Sequence, residues 1–292
     1  MSLSIGEQLR PVRDIVERIA SQRDVDALLV FAHPDDEAIA VGGHLWCWPS
    51  ANLVYLTQGA PRDPSFAFQA GCIGPAAYAQ LRAEERNRAL EVANVFGDRC
   101  VLLGRTDQEA CWDLLSLVRE VYMLIERFHP EVIVTHPYEG GHPDHDSAAF
   151  VVQTACDWHD ARNKPVPIVI ETPFYHRYEG RLRTGEFLPG SGGEEYRMNL
   201  DAHAQEMKRA MFHAHRSQHV ILSGFPTDYE CFRVAPRYDF RLPPHGGPLH
   251  YETLGWAMTG ETFRDLAEKA RAALADEPFG FTAPAAPLPR SS

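Results

Sequence analysis

Two five-residue clusters stand out in the chain: His33-Pro34-Asp35-Asp36-Glu37 and His142-Pro143-Asp144-His145-Asp146. Imidazoles and carboxylates suit a divalent ion, and two imidazoles with one carboxylate leave a fourth position open on Zn2+. Carboxylates left over beside such an ion can act as general bases. His33 and Asp36 are three residues apart at an expected strand-to-helix turn, so both can reach one ion while Asp35 between them faces water. Helix capping competes with this reading, because Asp35, Asp36 and Glu37 all suit a helix N-terminus. Capping accounts neither for His33 nor for a second His/Asp cluster. In that second cluster one histidine can ligate while the other lies near substrate. A protonated imidazole there, held so by Asp144, would stabilise the oxygen of a tetrahedral intermediate. Capping by Asp144 or Asp146 is again the plainer alternative.

Each cluster needs a strand end to hold it. Val25–Ala32 and Glu131–Thr135 are apolar runs ahead of the two clusters, and Asn52–Thr57, Cys100–Leu103 and Ile168–Glu171 read as further strands. Helices are expected at Gln8–Ala20, Asp36–Trp46, Pro75–Phe96 (stopped by Gly97-Asp98), Asp113–Phe128, Asp144–Trp158, Leu200–Ser217 and Thr262–Leu274. Apolar strands alternating with helices predict an α/β, Rossmann-like three-layer fold, a mostly parallel sheet with helices on both faces. With strand order 3-2-1-4-5, the first and fourth strands adjoin where the winding reverses, and ligands bind outside their carboxyl ends. The two clusters should therefore meet there.

The remaining segments are less regular. Residues 180–198 read as a mobile loop, and 223–251, with Pro226, Pro236, Pro243, Pro244 and Pro248, allow turns and edge strands but no long helix. Ala60–Tyr78 is long for a turn after the second strand; it reads equally as a loop over the pocket, with Phe66, Phe68, Arg62 and Asp63 available to a substrate, or as a packed excursion. The expected division is a helical extension over 1–24, one domain over 25–280 and a disordered tail over 281–292.

Composition narrows the class. A net charge of −12 offers no basic excess to meet phosphates, which argues against a nucleic-acid partner. No apolar run has membrane-span length, and no signal pattern opens the chain. Cys47, Cys72, Cys100, Cys111, Cys156 and Cys231 lack paired spacing, so reduced thiols in a cytoplasmic protein are expected. His44, His129, His176, His203, His213, His219 and His250 read as structural or exposed.

The chain resembles the LmbE-like, or PIG-L, zinc de-N-acetylases. The matching residues are Ala32-His33-Pro34-Asp35-Asp36-Glu37 with Gly42-Gly43, and His142-Pro143-Asp144-His145. Thr57-Gln58-Gly59, Arg82 to Glu85, Lys208-Arg209-Ala210-Met211 and His215-Arg216-Ser217-Gln218 support them. The resemblance spans about residues 25–235. It implies zinc held by His33, Asp36 and His145, Asp35 as general base, and His142 as oxyanion stabiliser tuned by Asp144. It implies hydrolysis of an N-acetylated sugar or sugar conjugate to acetate and an amine, with a non-sugar acylamine or larger conjugate as the alternative substrate. Arg82 or Arg86 would contact sugar hydroxyls, and His215 would line the pocket. Some members carry a tyrosine immediately before the second motif as general acid. This chain has Gly140 and Gly141 there, leaving Tyr138 as the nearby candidate, with Asp35 returning its own proton otherwise.

Overall fold

The computed structural model describes residues 12–18, 21 and 25–276. Nine strands order the described chain: β1 (Ala27–Phe31), β2 (Asn52–Thr57), β3 (Cys100–Arg105), β4 (Val132–Thr135), β5 (Ile168–Glu171), β6 (Tyr175–Tyr178), β7 (Arg181–Thr184), β8 (Tyr196–Asn199) and β9 (Tyr229–Val234). The principal helices are α1 (Asp36–Val41), α2 (Pro64–Gln69), α3 (Gly74–Val92), α4 (Leu114–Phe128), α5 (Pro143–Asp160), α6 (Ala202–Ala214) and α7 (Gly260–Ala275). Residues 12–18 are helical, and the rest of the expected N-terminal helix and the expected tail lie outside the described residues.

Seven strands form one sheet in the order β3-β2-β1-β4-β5-β9-β8. The first five run parallel, and β9 and β8 join antiparallel. β1 is buried along its whole length, because both faces of the sheet are covered. Successive side chains on a strand alternate faces. Leu28 and Val30 accordingly pack with α4, α5 and α7, while Ala27, Leu29 and Phe31 pack with α1, α3 and α6. These are the three layers expected from the strand–helix alternation.

Departures from expectation have local causes. The helix after β1 ends at Val41 rather than Trp46. At Gly43 the backbone N–H bonds Glu230 Oε1 at 2.8 Å, and a Cβ would press within 2.8 Å of Leu200. Residues 223–251 supply β9, which lies inside the sheet between β5 and β8 and is not an edge; its prolines flank the strand and leave its N–H groups free to pair. The expected mobile loop at 180–198 instead holds β7, paired in a hairpin with β6, and β8. Ala60–Tyr78 takes the packed alternative. Asp63 caps α2 through Ser65 N at 2.9 Å, and Ala60, Ala67 and Tyr78 form a small apolar cluster with Phe66. Phe68 stays 83% exposed, and Arg62 pairs with Glu109.

Candidate metal and active site

The turn after β1 and the start of α5 face each other, so both clusters meet at the β1/β4 switch point. His33 Nδ1 lies 3.3 Å from His145 Nε2 and 3.5 Å from Asp36 Oδ2, and His145 Nε2 lies 3.6 Å from Asp36 Oδ1. A tetrahedral ion with ligand bonds of about 2.0–2.1 Å sets its donors roughly 3.3 Å apart. The donor set and its spacing therefore fit such an ion. Three overlapping groupings extend the cluster: His33, His142 and His145; His33, Asp107, His142 and Asp144; and Asp36, His136 and His145. All except Asp107 are buried.

Carboxylates orient the imidazoles from behind. His33 Nε2 sits 3.3 Å from both Asp144 Oδ2 and Asp107 Oδ1, which fixes its proton on Nε2 and frees Nδ1 toward Asp36 and His145. Asp144 also accepts Gln108 N–H at 2.6 Å and Ala110 N–H at 3.0 Å, tying the loop after β3 to the site. The expected link from Asp144 to His142 takes a different form. Their side chains approach only to 3.9 Å, and His142 Nδ1 accepts the Asp144 backbone N–H at 3.1 Å as the cap of α5. Burial, then the neighbouring His33, pushes the His142 imidazole down to about 4, so the ring is neutral near pH 7 with its proton on Nε2. Asp146 organises the preceding loop, accepting the N–H groups of Gly140 and Glu139.

Arg82 holds the Asp35 carboxylate. The carboxylate lies 3.1 Å from Arg82 Nη2, and Arg82 also donates to Pro34 O at 2.8 Å. Burial raises the Asp35 carboxyl, and the Arg82 charge opposes that rise. Asp35 stands at φ 155°, ψ −16°, a conformation few non-glycine residues adopt. Its N–H bonds Glu37 Oε2 at 3.1 Å, which helps to hold the turn.

Of the expected substrate contacts, Arg82 lies against the site but is engaged by Asp35. Arg86 bonds Asn87 Oδ1 and lies over the Tyr55 ring instead. His215 is completely buried, 3.5 Å from Glu37. Tyr138 is a core residue: its hydroxyl donates to Leu242 O at 3.1 Å and its ring packs on Tyr238, Phe240 and Phe263. Three residues not singled out from the sequence enter the site. His136 Nε2 lies 3.2 Å from Asp36, and Asp107 reaches both His33 and His142. The Tyr175 ring stands 5.2 Å from that of His145. A Cβ on residue 141 would fall 1.8 Å from Tyr175 O, so glycine there is what lets the β6–β7 hairpin close against the second cluster.

Fold and cluster together define an α/β protein with a buried imidazole–carboxylate cluster, able to hold a metal ion, at its switch point. Residues 28–156 match the family model described as "PIG-L: GlcNAc-PI de-N-acetylase", and the resemblance carried by the two motifs holds over that stretch. A Bacillus anthracis protein named as a probable N-acetyl-alpha-D-glucosaminyl L-malate deacetylase 2 is 29% identical over 138 residues, 44% of this chain and 58% of that relative. The alignment thus spans less than two thirds of the relative's length. Among solved structures, the A40926 pseudoaglycone deacetylase Dbv21 is similar with a TM-score of 0.55 at 17% identity, covering 74% of this chain and 98% of that one. GalB, the 4-carboxy-2-hydroxymuconate hydratase of Pseudomonas putida, is similar with a TM-score of 0.52 at 18% identity, covering 73% and 97%. At these identities the structural likeness establishes the fold alone.

Proposed function

We propose that this protein is a zinc-dependent N-deacetylase that removes the acetyl group from an N-acetylated sugar or sugar conjugate, releasing acetate and a free amine. The observation that carries the reading is the convergence of His33 Nδ1, Asp36 and His145 Nε2 within 3.6 Å, with Asp35 beside them but outside the ligand set. Similarity of residues 28–156 to the de-N-acetylase family supports it, as does the N-acetyl-alpha-D-glucosaminyl L-malate named for the Bacillus anthracis relative.

His33, Asp36 and His145 would hold the ion, with His136 packed behind Asp36 and His145. Bound zinc would supply Lewis-acid polarisation of the acetamide carbonyl and lower the pKa of water. Asp35 takes the proton from the attacking water, its carboxylate aimed by Arg82. His142 presents Nε2–H to the oxygen that gains charge as the carbonyl becomes tetrahedral. The amine then leaves with a proton, which Asp35 has just acquired. Tyr175, whose hydroxyl makes no hydrogen bond among the described residues, is a further donor on the same side.

Residues 25–280 would constitute the deacetylase unit. No described helix is long and apolar enough to cross a membrane, and the six cysteines are unpaired, which supports a reducing, cytoplasmic setting. The test is amine and acetate release from a panel of N-acetylated sugars, sugar conjugates and non-sugar acylamines by zinc-loaded protein. Equimolar amine and acetate from acetamido sugars is expected. Turnover confined to non-sugar acylamines would replace the substrate class. No release from any member, with full zinc occupancy, would overturn the deacetylase reading and favour other chemistry known on this fold.

A further inference from the structure

The β6–β7 hairpin turns one face toward the metal cluster. Side chains two apart on a strand share a face, so Arg177 lies on the same side as Tyr175 and roughly 7 Å farther along. The Tyr175 ring is 5.2 Å from that of His145 and 5.7 Å from that of His250. His250 is anchored by its own N–H to Gly140 O at 2.8 Å, which places it beside the loop leading to His142. Trp256 closes the same wall, its ring 5.0 Å from that of His142.

Two polar groups on this wall lack hydrogen-bond partners among the described residues. Arg177 makes no hydrogen bond or ion pair among the described residues, although its Nε is shielded from solvent. His250 Nδ1 is likewise shielded and without a partner. Burial, then the nearby charge of Arg177, pushes His250 below its usual value. A shielded donor left without an acceptor costs about 1–3 kcal/mol, and more when charged. In a chain of net charge −12, where carboxylates are plentiful, this guanidinium is nonetheless left without one.

We propose that Arg177 and His250 form a subsite for an oxyanion, carboxylate or phosphate, carried by the part of the substrate that lies beyond the acetamido group. Tyr175 separates this subsite from the metal cluster and so sets the span between the anion and the scissile bond. The readout by turnover rests on the deacetylase reading; binding does not.

The test uses three N-acetylglucosaminides that share one linker and end in a neutral alkyl group, a carboxylate or a phosphate monoester. Wild-type kcat/KM should favour a charged member, and the better of the two names the anion. Arg177→Met should lower the charged-to-neutral ratio by about 10–100-fold, the range of a charge-assisted hydrogen bond, mainly through KM. Arg177→Lys should restore part of it, and added salt should compress it. A ratio near one in the wild type, or one unchanged by Arg177→Met, overturns the subsite. If wild-type, zinc-loaded protein cleaves none of the three, the deacetylase reading has failed, and calorimetric affinities of the same compounds for wild type and Arg177→Met decide the subsite by the same ratio. Should Arg177→Met not fold, His250→Gln is measured in its place, with the same ratio required to fall.

Discussion

Arg82 Nη2 lies 3.1 Å from Asp35 Oδ1, and both side chains are almost sealed from solvent. The pair explains how an acidic residue beside the proposed ligands His33 and Asp36 would be kept out of the ligand set. A carboxylate held by a guanidinium on one side offers its remaining lone pairs in a fixed direction. The same guanidinium, which the family resemblance assigned to sugar hydroxyls, is engaged by Asp35 and Pro34 O.

Asp35→Asn should retain zinc while lowering kcat by about 10²–10⁴-fold, the usual contribution of a general base. Arg82→Met should lower kcat as well and destabilise the fold by about 3–5 kcal/mol, because it leaves a buried carboxylate unpaired. The double variant should be less impaired than the sum of the two losses. Strict additivity in both rate and stability would show that the contact does not serve the base.

His33→Ala, Asp36→Ala and His145→Ala should each depress zinc stoichiometry, measured by metal analysis after dialysis. Asp144→Asn removes a hydrogen-bond acceptor behind His33 and is expected to weaken zinc affinity by about 10–100-fold without abolishing binding. Full stoichiometry in all three ligand variants would overturn the ligand assignment, because every grouping among the described residues that could hold an ion contains His33 or His145.

His142→Ala should keep its zinc and lose on the order of 10²–10³-fold in kcat, the effect of removing one oxyanion donor. Its ring is neutral near pH 7, so activity should not fall as pH rises through 6–7 on account of this residue. If wild-type activity does fall there and His142→Asn abolishes that limb, the active form is the imidazolium, and the neutral-donor assignment fails.

Glu171 gives a stability prediction away from the chemistry. Burial, partly offset by Arg233 and Tyr238, raises its carboxyl from an ordinary 4.5 to about 7. The folded state therefore holds a proton that the unfolded chain has released, so stability from this group is greatest below pH 4.5 and declines as pH climbs to about 7. The decline amounts to about 3 kcal/mol at roughly 1.4 kcal/mol per pKa unit. Denaturant titrations of wild type and Glu171→Gln at several pH values should diverge over that window and run parallel above it. Parallel curves throughout would mean that Arg233 keeps the carboxylate ionised.

Much of the frame was legible because buried parallel strands are continuous apolar runs between breakers. Asn52–Thr57 and Ile168–Glu171 fall on β2 and β5 residue for residue, and the expected order 3-2-1-4-5 is the order of the parallel half. The ligand clusters were legible because each concentrates its chemistry in five residues. The hairpin was not, since Tyr175–Tyr178 and Arg181–Thr184 show no apolar alternation and are held by polar contacts, among them His176 with Glu139 at 3.2 Å. His136 and Asp107 are single residues after β4 and β3. Nothing in their neighbours marks them until the sheet sets those strand ends beside His33.

The proposed ion-holding side chains all come from residues 33–145, whereas Tyr175, Arg177, His250 and Trp256 arrive after the fifth strand, with Tyr175 seated against Gly141. On the proposed roles, reaction and recognition are written in separate stretches of one gene. A lineage can trade one aglycone for another by changes after residue 171 without touching the machinery that breaks the amide. A chimaera that grafts a relative's hairpin and final segment onto this sheet should inherit the donor's preferences and keep this chain's chemistry.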